Sequence, residues 1–339
     1  MIPRKPAPGQ VPSWQQQIAE AVRDPAELLE ILGLDPALLE AARQAAGTFP
    51  LRVPRAYTDK IRRGDPDDPL LRQILPLGAE LTHVPGYGPD PVGDSTARAG
   101  AGVLQKYHGR ALLITTGACA VHCRYCFRRQ YPYQDDHAGG SQWSAALARL
   151  RADPSLREVI LSGGDPLTLS DRRLTAMLED LSGLSAVRRI RIHTRVPVVL
   201  PARLTAELIA LLGRTPQATI LVLHANHARE LDQELLQPLQ ELRRAGVTLL
   251  NQSVLLRGVN DCVATLQALS ERLFAFGVLP YYLHLLDAVA GAAHFDVPSR
   301  CAQRLLAALS ARLPGYLVPR LVREQPGAPA KTLIGGLPL

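Results

Sequence analysis

ALLITTGACAVHCRYCFRR, spanning Ala111–Arg129, runs from a short apolar strand into a loop that holds Cys119, Cys123 and Cys126 in the spacing C-x-x-x-C-x-x-C. A structural zinc site wants four ligands, and so does an ordinary iron–sulfur cluster. Three thiolates on a four-iron cubane leave one iron without a protein ligand, and open coordination is what separates catalytic from structural metal sites. Recruitment of His122 or Cys262 would instead close the site around zinc. With three of its five cysteines clustered, the chain points to metal or redox chemistry, not to a disulfide framework.

Around this loop a strand-then-helix rhythm repeats. Strands are expected at Ala111–Gly117, Glu158–Gly164, Arg189–Thr194, Ala218–Ala225, Val247–Leu256 and Leu279–Asp287. Amphipathic stretches such as SDRRLTAMLEDLSGL and ELDQELLQPLQELRRAG lie between them. Six such units imply an α/β fold, a parallel sheet with right-handed crossovers closed or partly closed as a (β/α)6 barrel. Each strand ends in polar groups: the cysteine loop, SGGD, HTR, HANH, NQS and HLLD. That edge is the active face of an α/β barrel, and a buried strand has little structural reason to end repeatedly in His, Asn and Asp.

Residues 1–101 read differently. DPAELLEILGL and DPALLEAARQAAG each open on Asp-Pro, an N-cap followed by proline at the first helical position. Beyond them, prolines break residues 52–102 into short helices and loops that suit a wrap over another domain. The expected division is an N-terminal helical extension (1–101), a barrel core (102–313) and a short C-terminal segment (314–339). The 339 residues are 47% hydrophobic and 20% charged, as in ordinary soluble enzymes. No run approaches the roughly 18 apolar residues of a membrane span. The opening MIPRKPAPGQVPSWQQQ has no signal-peptide core. A cytoplasmic protein without membrane attachment is expected. The net charge is +7, yet only four of the 38 Lys and Arg residues are lysines. Without an RNA-binding aromatic signature or zinc-finger spacing, no direct nucleic-acid binding is expected. Chemistry that needs an amine has few candidates.

The cysteine spacing after a first barrel strand resembles the radical S-adenosylmethionine enzymes, and LSGGDPL (Leu161–Leu167) resembles the segment that meets the methionine moiety there. The resemblance narrows with KYHGRALLITTGACAVHCRYCFRR, HANH, NQSVLLRGVND, PYYLHLLDAVAGAAHF and PGYLVPRLVRE. In this order, over residues 49–331, they are similar to the lysine 2,3-aminomutase family, most of all to its short bacterial branch that makes (R)-β-lysine for modification of elongation factor P. The resemblance implies a [4Fe–4S] cluster on Cys119, Cys123 and Cys126, S-adenosyl-L-methionine at the open iron, and pyridoxal 5′-phosphate. It further implies free L-lysine as substrate and a cellular reductant such as flavodoxin or ferredoxin. A functional link to elongation factor P and its lysyl-transferring ligase would follow.

Position by position, Lys331 in EQPGAPAKT matches the lysine that forms the Schiff base with the pyridoxal cofactor. Tyr107, Arg110 and Gln252 match contacts to that cofactor's phosphate. Lys106 stands where the long enzymes of the family carry arginine, a point charge in place of a fork. Gly163, Gly164, Asp165 and His224 match positions near S-adenosylmethionine. Arg128 matches the arginine that takes the substrate carboxylate, for which a planar fork is suited. Asp287 and Glu324 match the acids for the distant ammonium, Glu324 replacing an aspartate. Plainer roles compete: Asp165 as a turn cap, His224 as a core histidine, Lys331 and Glu324 as solvated residues. The long enzymes' zinc-binding cysteine cluster has no counterpart, so Cys262 is expected to be a free thiol and no structural zinc is expected. Two rivals remain, a mutase for another amino acid such as glutamate and a non-catalytic metal-binding module. Asp287 and Glu324 would repel the side-chain carboxylate of glutamate.

Overall fold

A computed structural model describes residues 12–335; residues 1–11, part of the stretch read for a signal peptide, lie outside them. Ten strands form one sheet in sequence order: β1 (Arg98–Gly100), β2 (Val103–Leu104), β3 (Arg110–Thr116), β4 (Glu158–Gly163), β5 (Arg189–Thr194), β6 (Ala218–His224), β7 (Thr248–Val254), β8 (Leu279–His284), β9 (Arg320–Arg323) and β10 (Thr332–Leu333). Strands β3 to β9 run parallel, while β1–β2–β3 and β9–β10 pair antiparallel at the two ends. β1 and β10 do not pair with each other, so the barrel is partial. All six expected strands are present, each followed by a helix: Trp143–Arg151, Asp171–Ser182, Ala206–Arg214, Gln233–Arg244, Val263–Ala275 and Ser299–Ser310. β4, EVILSG, is buried along its whole length, as a parallel strand covered on both faces must be. Ser170, Thr205 and Asp232 cap three of the helices through their side-chain oxygens.

Two features were not expected. The parallel run continues into β9, whose four residues are too few to show a period; they are ordered by the register Tyr282↔Arg320 along β8. The β1–β2 hairpin straddles residue 101, the expected edge of the extension, and joins the barrel's own sheet. The extension's helices form as read. Asp24 caps Pro25–Leu32, and Asp35 caps the turn Pro36–Leu38 that leads into Leu39–Thr48. Leu28, Leu32, Leu71 and Ile74 are buried in the same core as Leu113, Val159, Ile190 and Leu221 of the strands. At about 1.5–3 kcal/mol for each buried aliphatic side chain, that shared core seats the extension on the barrel.

Candidate active site

The extension grips the cysteine loop from outside. The His122 N–H donates to the Arg52 carbonyl (2.9 Å), and the Arg124 N–H to that of Gln73 (2.9 Å). Arg124 is fully buried, with Nε and Nη2 forked onto Glu80 at 2.8 and 2.6 Å and Nη1 donating to the Phe49 carbonyl at 2.8 Å. Arg129 adds a further bond to Glu80 at 2.7 Å. His122, the possible zinc ligand, stacks on Phe49 with Nδ1 2.8 Å from the Pro50 carbonyl. Cys262 is exposed, its sulfur 3.1 Å from Thr265 Oγ1.

From the inner side, SGGD meets the loop backbone to backbone. The Gly164 N–H donates to the Thr116 carbonyl (2.7 Å) and the Asp165 N–H to that of Ala118 (2.8 Å). A Cβ on Gly164 would lie 2.3 Å from the Ala118 oxygen, and Gly163, at φ +118°, occupies backbone space that favours glycine. The Gly163 carbonyl accepts from Tyr133 Oη (2.9 Å). The Asp165 carboxylate is saturated by protein: it accepts from Leu167 N–H (3.0 Å), Thr194 Oγ1 (2.7 Å), Arg195 N–H (2.7 Å) and Val196 N–H (3.1 Å). Burial raises its pKa to about 6 against these hydrogen bonds. The plainer reading of Asp165, a cap, describes what its oxygens do, and the cap ties the end of β4 to the end of β5.

Cys119, Cys123 and Cys126 open onto a cavity of about 680 Å³, and every other residue expected at the site lines the same cavity. Burial and the neighbouring Cys126 push the Cys119 thiol well up, and burial with Cys123 takes Cys126 to about 11. Across the cavity runs a chain of charges. Arg128 donates through Nε to Asp94 (2.7 Å) and through Nη1 to Ser162 Oγ (3.3 Å). Asp94 pairs with Lys106 (2.7 Å), Lys106 with Glu324 (3.3 Å), and Glu324 with Lys331. Burial opposes ionisation of Asp94, but Arg128 and Lys106 prevail and hold its pKa below the usual carboxylate value. The antiparallel register Thr332↔Arg323 explains the last link, because the next pair along the hairpin is Lys331 opposite Glu324. Lys331 is thus not a solvated tail residue. Tyr107 also bonds to Glu324. Asp287, by contrast, makes no side-chain hydrogen bond with the described residues, and burial lifts its pKa to about 7 despite the nearby Lys331. His224 lies 3.2 Å from Tyr125 Oη and stays neutral, burial and Arg195 lowering its pKa to about 3.

Several residues of this wall were not singled out from sequence. Asp94 comes from the extension and carries no local motif. Arg195, His193 and His284 stood only within the polar strand ends HTR and HLLD; position at a strand's end was the available signal. Among the described residues, His193 Nε2, His284 Nε2 and Arg191 Nε are buried without partners and belong to cavity-lining side chains. Such orphans suit a polar molecule held there. The donor set fits the implied groups: three thiols on one loop for a cluster with an open iron, and an amine beside unpaired donors for pyridoxal phosphate. The sulfurs are not grouped as the ligands of a single ion would be; a cubane does not require it, since each thiolate takes a different iron. Asn251 is occupied structurally, bonding to both backbone groups of Ala225.

Comparison with known proteins agrees with this geometry. The Radical SAM superfamily matches residues 113–269. An L-lysine 2,3-aminomutase from Escherichia coli K12 is 48% identical over 94% of this chain and 93% of its own length. One from Haemophilus influenzae Rd is 42% identical over 98% of both chains. One from Clostridium subterminale is 34% identical over 94% of this chain and 77% of its own length. The chain, with its three-cysteine loop on a partial parallel barrel, belongs to the lysine 2,3-aminomutase family of radical SAM enzymes.

Proposed function

We propose that the chain isomerises free L-lysine to β-lysine by radical 1,2-amino migration. The observation that carries this reading is that one cavity joins the three-cysteine loop, the Lys331 amine and the Asp287 carboxylate, which has no side-chain hydrogen bond among the described residues. When bound, the [4Fe–4S] cluster with S-adenosyl-L-methionine supplies a hydrogen-abstracting radical, and pyridoxal 5′-phosphate supplies the carbonyl that carries the migrating nitrogen.

The chain's own residues then bind, orient and shield. Cys119, Cys123 and Cys126 would each hold an iron, with the flat backbone of Gly163 and Gly164 beside them and His224 as a neutral nitrogen near S-adenosylmethionine. Asp165 serves this site through the two strand ends that it ties together. Lys331 would hold pyridoxal 5′-phosphate, and Tyr107, Arg110 and Gln252 its phosphate. Arg128 has Nε and Nη1 committed to Asp94 and Ser162, and its Nη2 would donate to the substrate carboxylate. Asp287 would receive the ε-ammonium. Glu324 restrains the Lys331 amine at rest and would offer a second carboxylate to the substrate once that amine is engaged. The enclosing wall would limit the access of water to reactive species.

We take the product to be (R)-β-lysine, made in the cytoplasm with electrons from a flavodoxin or ferredoxin and used by the ligase that modifies elongation factor P. Resemblance to the short branch supports this. The test is anaerobic incubation of reconstituted protein with dithionite, S-adenosyl-L-methionine and L-lysine, with glutamate, ornithine and arginine as competitors, followed by chiral analysis. β-Lysine as the dominant product is expected. Turnover of glutamate in its place, or no β-amino acid product from any of the four, would refute the assignment.

A further inference from the structure

The guanidinium of Arg195 lies directly behind the cysteine loop. It is 5% exposed, and its Nη1 is 2.8 Å from the Cys123 sulfur. The same nitrogen donates to Tyr125 Oη. Nη2 donates to Gln73 Oε1 (2.7 Å), to Glu230 Oε2 (2.9 Å) and to Tyr57 Oη (3.3 Å). Glu230 is anchored in turn by the backbone N–H groups of Asn226 (2.8 Å) and His227 (2.9 Å). The Arg195 backbone is held by Asp165, the acid of SGGD. Strand end, extension and β6 loop therefore converge to hold one cation against one cysteine sulfur. Folding stability alone gives little reason for this arrangement, because a buried ion pair is often no more stabilising than apolar residues of the same volume.

We infer that Arg195 is an electrostatic positioning residue for the cluster, and that its hydrogen bond to Cys123 makes the one-electron reduction of the cluster easier. The reasoning rests on the cluster assignment of the preceding section. Reduction moves one electron from the external reductant onto the cluster and adds one negative charge there, partly carried by the thiolate sulfurs. A fixed N–H donor and positive charge at 2.8 Å favour the more negative state. Glu230 pairs with the opposite edge of the guanidinium, so the Nη1 edge is the one presented to the sulfur. Tyr125 and Tyr57 sit beside the cation and keep water from replacing it.

The experiment compares wild type, Arg195→Lys, Arg195→Gln and the double variant Arg195→Gln/Glu230→Gln, the last avoiding an unpaired buried carboxylate. Each is reconstituted anaerobically, assayed for iron and sulfide per chain, and titrated against redox mediators without lysine. At a fixed potential, the neutral variants should hold at least tenfold less reduced cluster relative to oxidised, equivalent to about 59 mV downward for a one-electron couple. Arg195→Lys keeps the charge and loses the fork, so about a threefold loss is expected. Neutral variants with wild-type iron and a wild-type titration curve would overturn the inference. If the neutral variants do not fold or load iron, Arg195→Lys decides, and an unshifted curve overturns it equally. Failure of the wild type itself to take up a four-iron cluster would sink the underlying assignment, a result distinct from an unshifted variant.

Discussion

Gly164→Ala puts a methyl group where the cysteine loop already lies. The added Cβ would be 2.3 Å from the Ala118 carbonyl oxygen and 2.8 Å from the carbonyl carbons of Gly117 and Ala118, all backbone atoms that cannot rotate away. Since ordinary contact begins near 3.4 Å, the loop must retreat by about 1 Å. That retreat stretches the Asp165 N–H bond to Ala118, now 2.8 Å, beyond hydrogen-bonding range. Overpacking costs about 1–3 kcal/mol and a lost hydrogen bond about 0.5–1.5 kcal/mol, together about 1.5–4.5 kcal/mol. Over 339 residues the unfolding entropy is about 0.7 kcal/mol per kelvin, so Tm should fall by about 2–6 °C. Cys119 follows Ala118, so cluster loading should fall as well. Calorimetry of the metal-free protein and iron per chain after reconstitution are the assays. Gly47→Ala is the control: its Cβ meets nothing within 4 Å on an exposed helical turn, and it should stabilise by about 0.5–1 kcal/mol. If Gly164→Ala kept the wild-type Tm and iron content, the claim that this glycine exists for close backbone approach would be refuted.

Three further outcomes are expected. Asp287 titrates near 7 in the free protein, and protonation removes the charge that would pair with the substrate ammonium. The value of kcat/KM for lysine should therefore fall by up to tenfold per pH unit below about 7, and Asp287→Asn should flatten that limb while raising KM; an unchanged pH profile in the variant would assign the limb to another group. Glu80→Gln leaves the buried Arg124 and Arg129 short of their counter-charge and should cost about 3–5 kcal/mol in denaturant unfolding; a loss under 1 kcal/mol would mean the clamp on the cysteine loop is held elsewhere. Cys126→Ala should abolish turnover, and wild-type activity with S-adenosyl-L-methionine in that variant would exclude the three-thiolate cluster.

The barrel was legible because its signals are local. A strand such as EVILSG and a helix with a Ser or Thr cap each declare themselves within a dozen residues, and six repeats leave few topologies open. The cysteine loop was legible for the same reason, since its spacing is contained in one segment. Lys331 and Glu324 could be named by resemblance, but their pairing depends on the β9–β10 register, which no short window contains. Asp94 and Glu80 were invisible: a carboxylate in a proline-broken stretch looks solvated until the fold buries it against Arg128 or Arg124. Asp165 shows the reverse, since its motif was conspicuous while its four donors, three of them from the end of β5, exist only after the strands assemble. Residue type and spacing determined which chemistry the chain could host. Tertiary structure decided which charges face one another, because ionic contacts and desolvation act over a few ångströms in space, between positions that can stand more than a hundred residues apart in the chain.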